Sequence, residues 1–102
     1  MAYLNGTATR VVDDEFPGWG EVQFSEADGT EITLVEKLPV LDDDLTTASK
    51  YPAPIRVPCR VAKTEDDGAV AVVELEHGVT DVGDRNMFRV PAGAVIYGRT
   101  GP

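Results

Sequence analysis

The sequence predicts an all-β fold: a small, antiparallel, partly open barrel of SH3-like type, with a small β-sandwich as the alternative arrangement. Three observations predict it. No stretch keeps apolar residues at the three- and four-residue spacing of an amphipathic helix. Apolar residues instead alternate with polar ones in short runs divided by Gly, Asp and Pro. Two segments also share one hairpin grammar, in which an acidic residue and then Gly separate two alternating runs. At 102 residues the chain has room for one core, so 1–102 reads as one domain.

The elements follow in chain order. A first strand is expected near Tyr3–Val12. The connection "DDEFPGWG" places Asp13, Asp14 and Glu15 outside the ladder and delivers Trp19 to the head of the next strand. In "WGEVQFSEADGTEITLVEK", Ala27-Asp28-Gly29 reads as a three-residue loop with Gly29 in the left-handed position. If Glu26 and Thr30 close that loop, Phe24 faces Ile32 and Val22 faces Leu34 across the ladder. Glu36 then falls opposite Gly20. Trp19, Glu21, Gln23, Thr33 and Lys37 point to the other, polar face, with Trp19 opposite Lys37.

The connector "PVLDDDLTTASKYPAP", about 39–54, carries no strand pattern and is expected to be the flexible segment. Asp44 or Thr46 is positioned to cap a short helical turn there. The second hairpin, "IRVPCRVAKTEDDGAVAVVELEH", turns at Asp66-Asp67-Gly68 with Glu65 opposite Ala69. That register sets Val61 against Val73, Cys59 against Leu75, and Arg60 against Glu74 as an opposite-charge pair. Val70 and Val72 land on the nominally polar face, which suggests cover by the connector or by a second chain. The oligomeric state stays open. Last comes "MFRVPAGAVIYG", a strand broken at Pro91-Ala92-Gly93 and a short closing strand, the usual ending of small SH3-like barrels.

The runs "FPGWGEVQF", "ADGTEITLVEKLPVL" and "YPAPIRVPCRV" together resemble short uncharacterised bacterial all-β proteins, over about Phe16 to Val61. The resemblance rests on hairpin grammar. It implies a bacterial cytosolic origin and carries over no activity.

Eighteen acidic and nine basic side chains give a formal charge of −9. That field repels nucleic acid and anionic membranes and favours basic partners. Solubility alone also accounts for it. Nothing has the length and hydropathy of a membrane span. The start "MAYLNGTATR" lacks the basic and apolar regions of an export signal. With a single cysteine, Cys59, a reducing cytoplasm is expected.

Candidate chemistry is sparse. The register makes His77 the diagonal neighbour of Cys59, the pairing a cysteine nucleophile needs. The face they share is apolar, however, so Cys59 reads as a small buried hydrophobe and no catalytic residues are assigned. The clusters Asp13–Glu15, Asp42–Asp44 and Glu65–Asp67 do not match a calcium loop, and one Cys with one His makes no zinc site. No metal or cofactor is expected. Gly-rich phosphate loops are missing. Arg56, Arg60 and Arg89 lie on polar faces, with Glu74 and Glu76 placed to neutralise the first two, so nucleic-acid binding is not expected.

Surface aromatics give the most usable signal. Trp19 on the polar face can lay its ring against Lys37, and Tyr51 in the connector can join it. Alternatively Trp19 folds over the barrel end and plugs the core, although Phe16 and Pro17 are equally able to do that. The functional expectation is a non-enzymatic acidic interaction module that binds a basic-surfaced protein through Trp19, Glu21, Lys37, Tyr51, Asp13, Asp14 and Glu15. An immunity or inhibitor role against a toxin or nuclease is its concrete form. The alternative is a small-ligand or carbohydrate-binding domain that uses the barrel mouth near Trp19 and Tyr51.

Overall fold

The computed structural model describes residues 2–41 and 45–97. Across them seven strands form one antiparallel sheet: β1 (Ala2–Asp13), β2 (Trp19–Ser25), β3 (Glu31–Lys37), β4 (Ala53–Glu65), β5 (Val70–Leu75), β6 (Met87–Pro91) and β7 (Val95–Tyr97). Their order is β3-β2-β1-β4-β5-β6, and β7 pairs with β1. The sheet curls into an open half-barrel, the expected all-β architecture.

Strand β1 organises it. Ala2, Leu4 and Ala8 point inward, and the strand is long enough to serve three neighbours. One edge pairs with β4 over Ala2–Ala8; the other pairs with β7 over Ala2–Leu4 and then with β2 from Thr7 onward. The closing motif runs as expected, from β6 through a single 3-10 turn at Ala92–Ala94 into β7 on β1.

The first hairpin keeps the expected register throughout, with Phe24 opposite Ile32, Val22 opposite Leu34 and Trp19 opposite Lys37. The period-2 pattern decides this, because a one-residue slip would turn Val22, Phe24, Ile32 and Leu34 to water. The second hairpin departs halfway along. Cys59–Leu75, Arg60–Glu74 and Val61–Val73 pair as expected, but a bulge between Val61 and Lys63 sets Glu65 opposite Val70 instead of Ala69. The extra residue lengthens the loop to Asp66–Ala69, with Asp66, Asp67 and Gly68 all at positive φ. Pro58 is tolerated in β4 because β5 ends at Leu75; only its carbonyl is used, accepting from the Glu76 N–H at 3.1 Å.

Val70 and Val72 are buried within the chain itself. Strand β5 lies between β4 and β6, so Val72 has Lys63 and Arg89 as its register partners. Glu65 ties those two cations together, at 3.3 Å from Lys63 and 2.6 Å from Arg89. The aliphatic stems of such residues cover apolar neighbours while their heads stay wet. Neither the connector nor a second chain is needed for the cover.

The two ends of the sheet approach each other at the first hairpin loop. There the Ala27 N–H donates to the Arg89 carbonyl at 2.8 Å, and Arg85 pairs with Glu26 at 3.0 Å. Phe24 meets Phe88 edge to face with centroids 5.1 Å apart, the arrangement that the ring quadrupole favours.

The connector holds more regular structure than its composition suggests. It opens with a helical turn, α1 (Leu38–Leu41), whose Leu38 and Leu41 are buried; Leu45 is buried as well. These leucines close one end of the half-barrel, and β4 already begins at Ala53. Thr46 caps a turn, accepting the Ala48 N–H on its hydroxyl at 3.2 Å and the Ser49 N–H on its carbonyl at 3.1 Å. The other proposed cap, Asp44, lies outside the described residues together with Asp42 and Asp43. No helix among the described residues is long and apolar enough to cross a membrane.

Candidate interaction surface

The "DDEFPGWG" stretch is a turn with a fixed root and an exposed tip. Asp13 is not outside the ladder as expected: it ends β1 and pairs with Trp19, because a bulge after Val11 carries the strand further than its apolar pattern indicates. Its carboxylate accepts the Glu15 N–H at 3.0 Å, and the Gly18 N–H donates to the Glu15 carbonyl at 2.7 Å. The Phe16–Pro17 peptide bond between them is cis.

Gly18 is the root. At φ +88° it adopts a conformation that other residues avoid, and a Cβ there would lie 2.9 Å from both Leu38 and Thr47. Its carbonyl accepts the Leu38 N–H at 2.9 Å, so the turn is bonded to α1. Phe16 at the tip is 98% exposed, which removes it from the core-plug role. An aromatic ring left this open gains nothing for folding.

Trp19 is partly buried on the outer face, is not a member of the core cluster, and so does not plug the barrel. Lys37 lies over its ring with Nζ 5.7 Å from the centroid, which fixes the aromatic by a cation–π contact. Val35 sits diagonally across the ladder from it and Val12 precedes its partner Asp13; both are more than a third exposed. Asp13, Asp14 and Glu15 are exposed alongside. Val12, Phe16 and Val35 are thus exposed, and Trp19 partly so, within a short span of chain and ladder that also carries Asp13, Asp14 and Glu15.

Two expected members of the site are otherwise engaged. Glu21 accepts from the Thr9 hydroxyl at 2.7 Å and pairs with Arg10 at 3.3 Å, and these contacts hold its carboxyl below the usual range. It buttresses the sheet behind Trp19. Tyr51 packs against the core and donates its hydroxyl to the Thr46 carbonyl at 2.8 Å. It steadies the connector, whose Thr47 lies against Gly18 at the root of the turn.

Cys59 is buried, its thiol pushed up to about 11 by burial and then by the nearby Glu76. His77 stands beyond the end of β5, exposed and at φ 60°, so the register geometry that would make it a diagonal neighbour of Cys59 has lapsed. Glu36 does face Gly20, but its carboxylate accepts the Lys37 N–H at 2.9 Å. No cluster of three metal-ligating side chains occurs among the described residues. Arg60 pairs with Glu74 as expected and Arg89 with Glu65, whereas Arg56 forms no ion pair among the described residues.

A concavity of about 660 Å³ lies elsewhere, at the middle of β1 and the ends of β2 and β6. Neither Trp19 nor Tyr51 lines it. Sequence reasoning missed the full exposure of Phe16. The available signal is the run of three carboxylates directly before the aromatic. Comparisons with family models, curated proteins and solved structures find no match to this chain.

Proposed function

We propose that the protein is a non-enzymatic, acidic protein-interaction module that binds a basic-surfaced partner through the patch around Phe16 and Trp19. One observation carries the reading: Phe16, 98% exposed, is held out on a turn whose root is bonded to the core and which three exposed carboxylates lead into. Aromatic anchors at the centre of an interface are the residues whose truncation costs about 2 kcal/mol or more. A surrounding charge of one sign speeds encounter with a partner of the other. A net charge of −9 supplies that field.

An immunity or inhibitor role against a basic-surfaced toxin or nuclease is the concrete form of this proposal. A lone, unbridged Cys59 fits a reducing bacterial cytoplasm as the setting. The test is capture on immobilised protein, with Phe16→Ala and Trp19→Ala run alongside wild type. A basic protein held stoichiometrically by wild type and lost from both variants supports the reading. Equal capture by all three overturns it.

A further inference from the structure

We propose that the groove on β1 is a second binding site, which takes an extended peptide segment carrying a basic side chain and adds it to the sheet as a short strand. The proposal is independent of the Phe16 surface.

The groove exists because β1 changes partner along one edge. Pairing with β7 ends at Leu4–Val95, and pairing with β2 starts at Thr7–Gln23. On that edge neither Asn5 nor Gly6 has a register partner, and because main-chain groups alternate between edges, one of the two presents its N–H and C=O to the open side. Across the fork, Phe24 and Ser25 pair with β3 but have left β1. Two stretches of strand edge thus line one concavity, and unpaired strand edges are the template on which extended chains add by main-chain hydrogen bonds. The 3-10 turn at Ala92–Ala94 bounds the far end, with Pro91 and Ala94 on the wall. A volume of about 660 Å³ lies within the range of ligand clefts, roughly 300–1,000 Å³.

The lining decides the class of ligand. Asn5, Thr7, Thr9, Gln23 and Ser25 offer neutral donors and acceptors, and Glu31 is the one charged side chain on the wall among the described residues. With no cation on that lining, phosphates and other anions find no partner. A sugar ring would find no open aromatic face to stack on, since Phe24, the groove's aromatic, is buried edge-on against Phe88. Main-chain amides match the neutral groups. A Lys or Arg on the incoming strand matches Glu31, which is exposed and forms no ion pair among the described residues.

The test uses the isotope-labelled full chain and two pools of short, blocked, Val- and Thr-rich peptides that differ only in a central Lys or Glu. The Lys pool is expected to shift the backbone amides of Asn5, Gly6 and Ser25 in the NMR spectrum. The Glu pool should bind about two- to fivefold more weakly, the size of an exposed ion-pair effect. Glu31→Lys should reverse that preference, Thr7→Trp should block the groove, and Phe16→Ala should leave the shifts unchanged. Both groove substitutions are at exposed positions; if Thr7→Trp fails to fold, Glu31→Lys decides alone. The proposal is overturned if the Lys pool leaves these amides unmoved or if Glu31→Lys does not change the preference. It is equally overturned if a neutral trisaccharide produces the shifts, or if they appear with rising protein concentration and no peptide, which assigns the groove to a second copy.

Discussion

Gly20 and Leu38 form the tightest junction between β2 and the cap of the barrel, and together they give a quantitative check on how the Trp19 strand is held. A Cβ built on Gly20 would lie 2.5 Å from Leu38 Cδ2 and 3.7 Å from Leu41 Cδ1. Leu38 is fully buried and has nowhere to retreat. Gly20→Ala should gain about 0.5–1 kcal/mol from backbone entropy, and overpacking should outweigh that at about 1–3 kcal/mol. Leu38→Ala removes the clashing atoms but opens a cavity, at a cost of about 2–5 kcal/mol. In the double variant the methyl added at position 20 enters the space that the Leu38 side chain vacates. The two losses should then sum to about 1–3 kcal/mol less than their separate values, a coupling typical of residues in contact. Urea unfolding followed by Trp19 fluorescence measures all four corners of the cycle, with slopes of about 1–3 kcal/mol per molar expected at this size. Additivity within about 0.5 kcal/mol would refute the packing argument.

Cys59 should resist alkylation in the native state, because a thiol pushed up to about 11 is only about one-thousandth thiolate near pH 8 and is also buried. Its labelling in urea should track unfolding, and rapid native labelling by iodoacetamide contradicts this. Arg89 first, then Lys63, holds the Glu65 carboxyl below its ordinary 4.5. The lowered folded value means that Glu65 contributes stability above about pH 4.5, which is lost as pH falls through the folded value. Glu65→Gln should accordingly flatten the acid limb of stability against pH, and an unchanged limb contradicts the assignment. Lys37→Ala should shift Trp19 emission and cost about 0.5–1 kcal/mol, the worth of an exposed cation–π contact. Emission identical to wild type would mean that Lys37 does not sit over the ring.

Where a hydrophobic pattern of period two meets a short loop, the sequence resolves individual pairs, as with Val22–Leu34 and Trp19–Lys37. It fails where one residue is inserted. The bulge at Ala62 leaves the pattern of β4 almost unchanged, because Val61 and Lys63 read equally well in either register. The bulge before Asp13 likewise hides that residue's pairing with Trp19. The connector misleads because its three aspartates outweigh the leucines on either side, and Leu38, Leu41 and Leu45 are what close the barrel. At the surface, the cation–π pair follows directly from register. The exposure of Phe16 does not, since it depends on Leu38 and Thr47 closing around Gly18 from a distant part of the chain. The clamp of Arg85 on Glu26, with its guanidinium 4.7 Å from the Phe88 centroid, is equally invisible. It joins residues 59 apart with no local pattern between them.

In the proposed function an exposed aromatic anchors a basic partner that an acidic field guides in. The most direct measurement is the pair of rate constants for the captured partner, wild type against Phe16→Ala, over about 0.1 to 1 M salt, where the Debye length falls from about 10 Å to about 3 Å. Salt should slow association of both proteins alike, and Phe16→Ala should raise the dissociation rate by about thirtyfold, the equivalent of a roughly 2 kcal/mol anchor. Association indifferent to salt, or dissociation unchanged by Phe16→Ala, would contradict it.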